Sequence, residues 1–325
     1  MTLLGFTSIH MLLKKEDIGG ITQLTIFNDK NGEYIKVIPE VGGMLNGIGL
    51  SKKGITYELL SNCEDYKSVL KEGLSEYKGS KLFPFPNRIN DGAYTFLNDN
   101  YQLDKNHSAE GHAIHGLVYN SKFEVDSFKN TSDGVLTLKY NSTGKEEGYP
   151  FLYELTMQYI LSEEGFKCIT TVENKDNKII PVADGWHPYY STGSAIDELL
   201  IKIPSSDYIE LDENMIPTDK IKSNDNFHNL TLIDKTVFDT CFKLPTTKGI
   251  QSIELYDPKK DLSISIWQET GEQKYNFVQL YTHPSRKSIA IEPMSCMPDA
   301  FNNQSGLIML SPKERRSFVF GVKLQ

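Results

Sequence analysis

Apolar and polar residues alternate along most of this chain, and almost no stretch repeats apolar residues at helical spacing over three turns. Alternation puts every second side chain on the same face, which is typical of half-buried β-strands. Residues 153–160 and 166–173 flank a turn that contains Gly165, and this arrangement predicts a hairpin. Further strands are predicted over residues 34–38, 135–140, 199–203, 253–256, 262–266, 277–281, 288–291 and 317–324. The pattern therefore predicts an all-β protein.

Two segments differ from this alternating pattern. Residues 66–79 carry a partial helical stripe of apolar side chains, which predicts a short helix or a loop. Residues 204–235 are the most polar stretch, and we expect a long surface excursion there because strand patterns resume directly afterwards. No repeat or linker-like composition divides the chain, so residues 1–325 are predicted to form one large antiparallel domain.

The composition excludes several classes of protein. The 325 residues are 39% hydrophobic and 24% charged, as in ordinary soluble domains, and the formal net charge is −9. Without clustered Lys and Arg, binding to nucleic acid is not expected. No apolar stretch approaches the roughly 20 residues of a membrane helix, and the first residues lack the basic start of a secretory signal. Because the four cysteines are widely spaced, we expect free thiols and a cytoplasmic protein.

Prolines mark the segment that contains Asn87 and Arg88. Pro84 and Pro86 do not fit inside a central strand, so Arg88 is predicted to lie at a fixed loop or strand edge. A guanidinium held in this way is a good donor to hydroxyls or carboxylates. The alternative is an Arg in a surface ion pair.

Two histidines, His112 and His115, lie between Gly111 and Gly116. Histidines three residues apart converge on a helix and could bind a metal ion, but the glycines and the lack of further ligands nearby argue against this interpretation. His115 is predicted to lie where the backbone approaches another segment closely. A buried structural histidine is the alternative.

Three further polar residues stand in apolar or aromatic surroundings. His187 lies among aromatic residues, which proteins use against the apolar faces of sugars, so it is a candidate for a binding site. Glu292 precedes Pro293, so we expect it to leave the sheet at its mouth, as a general base or as an exposed strand-end carboxylate. Asp239 is flanked by apolar residues, where a charge needs a partner.

Taken in order, these segments resemble the aldose 1-epimerase (galactose mutarotase) family over about residues 34–324. The motifs that carry the resemblance are FPFPNRINDGAYTF, HAIHGLV, GWHPYY, VFDTCF, VQLYT and AIEPMSCMPDAFNN. The resemblance implies a large, twisted, antiparallel β-sandwich with a sugar cleft on one concave face. It also implies that neither a metal nor an organic cofactor takes part.

The resemblance assigns a role to each candidate residue. Glu292 matches the catalytic base of the family, His187 its general acid and His115 a second active-site histidine. The residues that match or adjoin sugar-binding positions are Arg88, Asp239, Gln279, Asn87 and Trp186. Exchange of anomers needs one group to take the C1 hydroxyl proton and another to protonate the ring oxygen. Ordinary pKa values of about 4.3 for Glu and 6.5 for His would let one be ionised and the other protonated near neutrality.

Three positions depart from the pattern of galactose mutarotases. Phe83-Pro84 stands where the family has Gly-Arg, Leu117 where it has a second Gly, and Gly185-Trp186 where it has Thr-Asn. These departures resemble a divergent branch of the family, so the resemblance does not assign galactose as the sugar, whereas the acid–base pair is retained.

Three functions remain open at this point. We expect an isomerase acting on a free hexose, and a monomer or homodimer with no nucleic-acid or membrane partner. One alternative is an epimerase for a hexose 6-phosphate, for which Lys78 and Lys81 are the nearby cations, although both are predicted to lie on a solvated face. The other alternative is a sugar-binding protein without catalysis.

Overall fold

The computed structural model describes residues 11–107, 111–247 and 249–325. The expectation about a secretory signal concerns mainly residues 1–10, which lie outside the described residues. Within them, no helix is both long and apolar enough to span a bilayer. All four cysteines are free and buried.

Strands dominate the described residues, as the alternating pattern predicts. The first fourteen are β1 (Met11–Asp17), β2 (Thr22–Asn28), β3 (Tyr34–Ile38), β4 (Met44–Lys52), β5 (Ile55–Glu58), β6 (Ser80–Leu82), β7 (Arg88–Ile89), β8 (Ala93–Phe96), β9 (Asp99–Gln102), β10 (Ala113–Ile114), β11 (Glu124–Asn130), β12 (Gly134–Asn141), β13 (Tyr153–Ser162) and β14 (Gly165–Asn174). The others are β15 (Ile180–Val182), β16 (Gly185–His187), β17 (Tyr189–Tyr190), β18 (Leu200–Lys202), β19 (Asp207–Leu211), β20 (Pro217–Ser223), β21 (Thr231–Leu232), β22 (Asp239–Lys243), β23 (Gly249–Asp257), β24 (Leu262–Thr270), β25 (Phe277–Thr282), β26 (Ile289–Met294), β27 (Ile308–Leu310) and β28 (Arg315–Leu324).

Helices are short. A capping box, in which the Asp65 side chain accepts the Ser68 N–H at 2.8 Å, starts α1 (Tyr66–Ser68). This helix runs on as a wider π-helical turn, Val69–Gly73, so the short helix expected within residues 66–79 is present. A second short α-helix in the described residues is α2 (Ala300–Asn303). Single 3-10 turns lie at Asn90–Gly92, Ile196–Glu198 and Asp225–Phe227.

Two large antiparallel sheets build the fold. One has nine strands in the order β11-β12-β13-β14-β28-β24-β23-β18-β21, and the other has eight, in the order β20-β19-β22-β25-β26-β16-β6 with β17 also on β26. Strands β1 to β5 form a third sheet. The principal core cluster combines residues of both large sheets, such as Leu155 and Ile264 from one and Val278 and Ile291 from the other. The predicted all-β sandwich and the hairpin of β13 with β14 are confirmed.

The expectation for residues 204–235 is wrong in one respect. This polar stretch contains β19 and β20, which form one edge of the eight-stranded sheet. Edge strands are commonly rich in charged side chains, and here Lys222 Nζ lies 2.5 Å from Glu210 Oε1 across the pair. High polarity therefore marked an exposed sheet edge and not a loop.

Candidate active site

A cavity of about 500 Å³ lies mainly against the eight-stranded sheet. Every site residue predicted from the sequence lines it except Trp186: Asn87, Arg88, His115, His187, Asp239, Gln279 and Glu292. These residues are up to about 200 positions apart in the sequence. The eight-stranded sheet carries His187, Asp239, Gln279 and Glu292, and the β7–β10 pair with its flanking residues carries the other three.

Neighbouring strands place three of the polar groups side by side. Glu292 of β26 lies directly opposite Gln279 of β25, and Asp239 begins the next strand, β22. Opposite residues of an antiparallel pair project from the same face. Gln279 Nε2 donates to Asp239 Oδ1 at 2.7 Å, which supplies the partner that the Asp239 carboxylate was expected to need.

The expectation that Glu292 leaves the sheet is wrong, because both Glu292 and Pro293 lie within β26. On one side β26 pairs with β25 throughout, but on the other side its neighbour is divided, with β17 opposite Ala290 and β16 opposite Met294. Proline removes one ladder donor, and it is tolerated beside such an interruption. Glu292 is consequently buried, with 1% of its surface exposed.

His187 is the partner of Glu292 across the interrupted side of the strand. Its Nε2 lies 3.4 Å from Glu292 Oε1, and the residue is 5% exposed. Burial lowers the pKa of His187 to about 4, and burial together with Asp239 raises the pKa of Glu292 well above its usual range. The ordinary pKa values assumed from the sequence therefore do not apply. Burial therefore favours a proton on Glu292 over a proton on His187.

His115 is fixed by the backbone around it. The Asn87 N–H donates to His115 Nδ1 at 3.3 Å, so Nε2 carries the ring proton in the neutral form. Burial lowers the pKa of His115 well below its usual range, which favours this neutral form. A Cβ atom on the next residue, Gly116, would lie 2.2 Å from the carbonyl oxygen of Phe83. The close backbone approach predicted beside His115 is thus present.

His112 does not line the cavity and instead has a structural role. Its Nδ1 accepts the Asp91 N–H at 3.0 Å, and its Nε2 lies 3.0 Å from the carbonyl oxygen of Asn214. Both ring nitrogens are therefore engaged, and the segment is a short strand and turn instead of a helix. Glu110, at the start of this motif, lies outside the described residues. Within those residues, no group of three or more His, Cys, Asp or Glu side chains could hold a metal ion.

Arg88 faces the cavity and not the protein surface. It is 7% exposed, and β7 holds it against β10, which carries Ile114 just before His115. Its guanidinium donates to Asn87 Oδ1 at 3.2 Å. The interpretation as a surface ion pair is therefore wrong, and a buried guanidinium and two imidazoles share one polar wall.

Comparison with known proteins identifies the family of this chain. A family model described as aldose 1-epimerase matches residues 25–323. The chain belongs to the aldose 1-epimerase family. The uncharacterised protein YihR of Escherichia coli K12 is 30% identical over 248 residues, which cover 74% of this chain and 77% of YihR.

Solved structures share the aldose 1-epimerase fold. A galactose mutarotase-like protein from Clostridium acetobutylicum superposes with a TM-score of 0.86 at 20% identity, covering 97% of this chain and 99% of that one. Galactose 1-epimerase from Lactobacillus acidophilus NCFM gives a TM-score of 0.79 at 16% identity and covers 98% and 99% of the two chains. At these identities the likeness supports the fold, while the family match supports a sugar epimerase.

Trp186 does not line the cavity of this epimerase-family protein, so the expected sugar contact is wrong. The side chain is fully buried, its Nε1 donates to Thr170 Oγ1 at 3.3 Å, and its ring packs 5.7 Å from that of Phe320. Successive residues of a strand point to opposite faces, so Trp186 must face away if His187 faces the cavity.

The two lysines considered for a phosphate are not solvated either. Lys81 is fully buried, with Nζ 2.5 Å from Asp184 Oδ2 and donating to the Gly185 carbonyl oxygen at 3.0 Å. Lys78 is 7% exposed, and its Nζ lies 2.6 Å from Glu72 Oε2. Both cations are paired, and neither lines the cavity.

The cavity residues that sequence reasoning missed include Glu76, Tyr77, Tyr281 and His283. Tyr281 follows Gln279 by two positions in β25, so strand alternation would have placed it on the same face. Glu76 and Tyr77 follow the helical segment, and no local pattern points them toward the sheet. His283 joins them through a long-range contact, in which its Nε2 lies 3.1 Å from Glu76 Oε2.

Proposed function

We propose that this protein is an aldose 1-epimerase that interconverts the α and β anomers of a free hexose, with Glu292 as general base and His187 as general acid. The contact between Glu292 Oε1 and His187 Nε2 at 3.4 Å, inside a polar cavity, carries the proposal. Among the described residues, Glu292 Oε2 and His187 Nδ1 are buried without a hydrogen-bond partner. Both residues line the cavity, where a polar ligand can supply the missing partners.

The proposed reaction uses one proton that His187 donates and one that Glu292 accepts. With the proton on His187, the Glu292 carboxylate takes the proton of the C1 hydroxyl while His187 gives its proton to the ring oxygen. The bond between C1 and the ring oxygen breaks, C1–C2 rotates in the open aldehyde, and the same steps run backwards to close the ring. The transfer leaves Glu292 protonated and His187 neutral, which is the distribution that burial favours.

The other polar groups are suited to holding the sugar. His115, with its proton on Nε2, is a neutral donor toward a sugar oxygen. Asn87 accepts from Arg88, and Asp239 accepts from Gln279, so each pair is oriented before a sugar binds. Gln279 Oε1 is buried without a partner in the part of the chain that the structure describes, and it can accept a hydrogen bond from a sugar hydroxyl.

The charge of the cavity favours a free sugar over a sugar phosphate. Of the described lining residues, Arg88 is the sole Lys or Arg, whereas Glu76, Asp239 and Glu292 carry carboxyl groups. A phosphate needs a cluster of cations, and the two candidate lysines are paired elsewhere. Catalysis is favoured over simple binding because binding alone needs no proton-transfer pair.

Polarimetry tests this function with Glu292→Gln, an amide of nearly the same shape. Fresh α-anomers of glucose, galactose and other hexoses should mutarotate faster with the wild-type protein, and the variant should lower kcat by roughly 10²–10⁴. Glu58→Gln is the control, since Glu58 is a half-buried carboxyl outside the cavity whose pKa burial also raises. Activity of Glu292→Gln within about threefold of wild type would contradict the assignment of the base.

A further inference from the structure

The ring of Tyr77 forms part of the cavity wall beside the proposed catalytic groups. Its centroid lies 4.6 Å from that of His115 and 6.3 Å from that of His187. Tyr77 is half-buried, so part of its ring surface remains accessible while the remainder packs against Tyr119 at 5.0 Å. The two histidine rings are in edge contact at 5.1 Å, and the ring of Tyr77 therefore lies beside this contact in the cavity wall.

Three features hold this ring in place before any sugar binds. Asn106 Nδ2 donates to the Tyr77 hydroxyl at 3.3 Å, and the same Asn106 binds both backbone groups of Ile114, next to His115. The preceding residue, Glu76, accepts from His283 across the cavity rim. Tyr77 itself has φ of 56°, a left-handed conformation that is costly for a residue with a side chain. Strain of this kind persists only where the surroundings fix the residue, commonly at functional sites.

Three of the other aromatic residues in this region offer less surface to a sugar. Trp186 and Tyr190, which the sequence placed around His187, are fully buried and do not line the cavity. Tyr189 does line it, but 3% of the residue is exposed, and its ring packs 4.9 Å from His187. Tyr281 is half-buried and is the rival candidate.

We propose that Tyr77 is the stacking surface of the site, against which the apolar C–H face of a pyranose ring packs while its oxygens face His187 and Glu292. This inference rests on the proposed function and adds the residue that orients the sugar. Aromatic rings suit this task because a pyranose presents apolar C–H groups on one face and hydroxyls at its edges. The Glu76–His283 contact acts as a positioning pair for the loop that carries the ring.

Binding in a background without turnover separates this inference from the proposed reaction. Titration of glucose and galactose into Glu292→Gln, by calorimetry or by ligand-observed NMR, gives Kd without chemistry. Tyr77→Leu added to this background should raise Kd about tenfold or more, whereas Tyr77→Phe should stay within about threefold because it keeps the ring. In the wild-type background, Tyr77→Leu should raise KM and leave kcat within about threefold. Tyr101→Leu, at another half-buried tyrosine outside the cavity lining, should change neither constant.

The outcomes are distinct. An unchanged Kd in Tyr77→Leu, or a larger rise in Tyr281→Leu than in Tyr77→Leu, would overturn the inference even if the wild-type protein mutarotates sugars. Wild-type protein without turnover would overturn the proposed reaction, and the role of Tyr77 would then be decided by Kd alone. Absence of binding to every hexose in the Glu292→Gln background would overturn the stacking role. Circular dichroism and Tm confirm that each variant is folded.

Discussion

The histidines of this molecule differ in what their ring nitrogens contact. His112, His115 and His283 each accept a backbone N–H at Nδ1, from Asp91, Asn87 and Ser285 respectively, so each carries its proton on Nε2 in the neutral form. His187 lacks such a contact among the described residues, and its Nε2 faces Glu292. A proton-transfer residue must exchange its proton, and of these four histidines His187 is the one whose surroundings leave this exchange open.

This difference predicts the effect of His187→Asn on the pH profile. The wild-type kcat/KM should fall below about pH 4, where a second proton binds His187, and again at high pH, where the pair loses its last proton. With His187 absent, Glu292 alone must be ionised, so the remaining activity should only rise with pH. We expect kcat to fall roughly 10²–10⁴-fold and the alkaline limb to disappear. Rate measurements between pH 4 and 10, with His115→Asn in parallel, check this; a persistent alkaline limb would transfer the acid role to His115.

Burial of Glu292 also predicts a pH-dependent effect on stability. Its folded pKa is raised, so the unfolded chain loses this proton first as pH rises, and the folded state loses stability between the two pKa values. Each pH unit in that window costs about 1.4 kcal/mol. Glu292→Gln removes the titration, so its Tm should exceed the wild-type Tm at pH 8 and approach it at pH 4. Scanning calorimetry at both values tests the sign, and a variant that is less stable than wild type at pH 8 would contradict it.

At the level of elements, strands were easier to predict from the sequence than the side-chain contacts between them. Residues 34–38 form β3 with the predicted bounds, because alternation is a local property of the chain. The position of Glu292 within β26 was missed. Pro293 fits inside this strand because the strand beside it is divided into β16 and β17, and these lie about 100 residues earlier in the sequence. The burial of Lys81 was missed for a similar reason, since its partner Asp184 lies in the distant link between β15 and β16. Contacts between distant segments depend on which strands pair and in which register, and a local sequence pattern does not determine either.

The contact of Lys81 with Asp184 predicts how β6 and β16 are held together. Lys81 pairs in register with Trp186, one residue before His187, and its Nζ also lies 5.0 Å from the Trp186 ring centroid. Removal of one member of a buried ion pair leaves an unpaired charge, so Lys81→Met should cost about 3–5 kcal/mol. Lys81→Met with Asp184→Asn should recover part of this loss. Denaturant unfolding of the single and double variants checks the coupling; equal stability of Lys81→Met and wild type would show that the pair contributes nothing.

Across the whole molecule, the cavity residues on the eight-stranded sheet could be predicted from the sequence, whereas part of the remaining cavity wall could not. The eight-stranded sheet brings Asp239, Gln279 and Glu292 to one face because three neighbouring strands carry them. The sequence motifs that contain these three residues are recognisable, and they helped to indicate the family. The wall formed by Glu76, Tyr77 and His283 joins the helical segment to the β25–β26 turn, and these side chains meet only in the folded chain.

The overall charge predicts how the enzyme discriminates between free and phosphorylated sugars. The chain carries 34 basic and 43 acidic residues, a formal charge of −9, and the cavity holds more carboxyl groups than cations among its described lining residues. A neutral hexose feels no net attraction or repulsion at long range, so its kcat/KM should change less than about twofold between roughly 0.02 M and 0.5 M salt. A hexose 6-phosphate should react more slowly, and its kcat/KM should increase with salt as repulsion is screened. Steady-state rates for glucose and galactose against their 6-phosphates give the comparison. A phosphate that reacts faster at low salt would indicate a cationic clamp, and the preference for a free sugar would then be wrong.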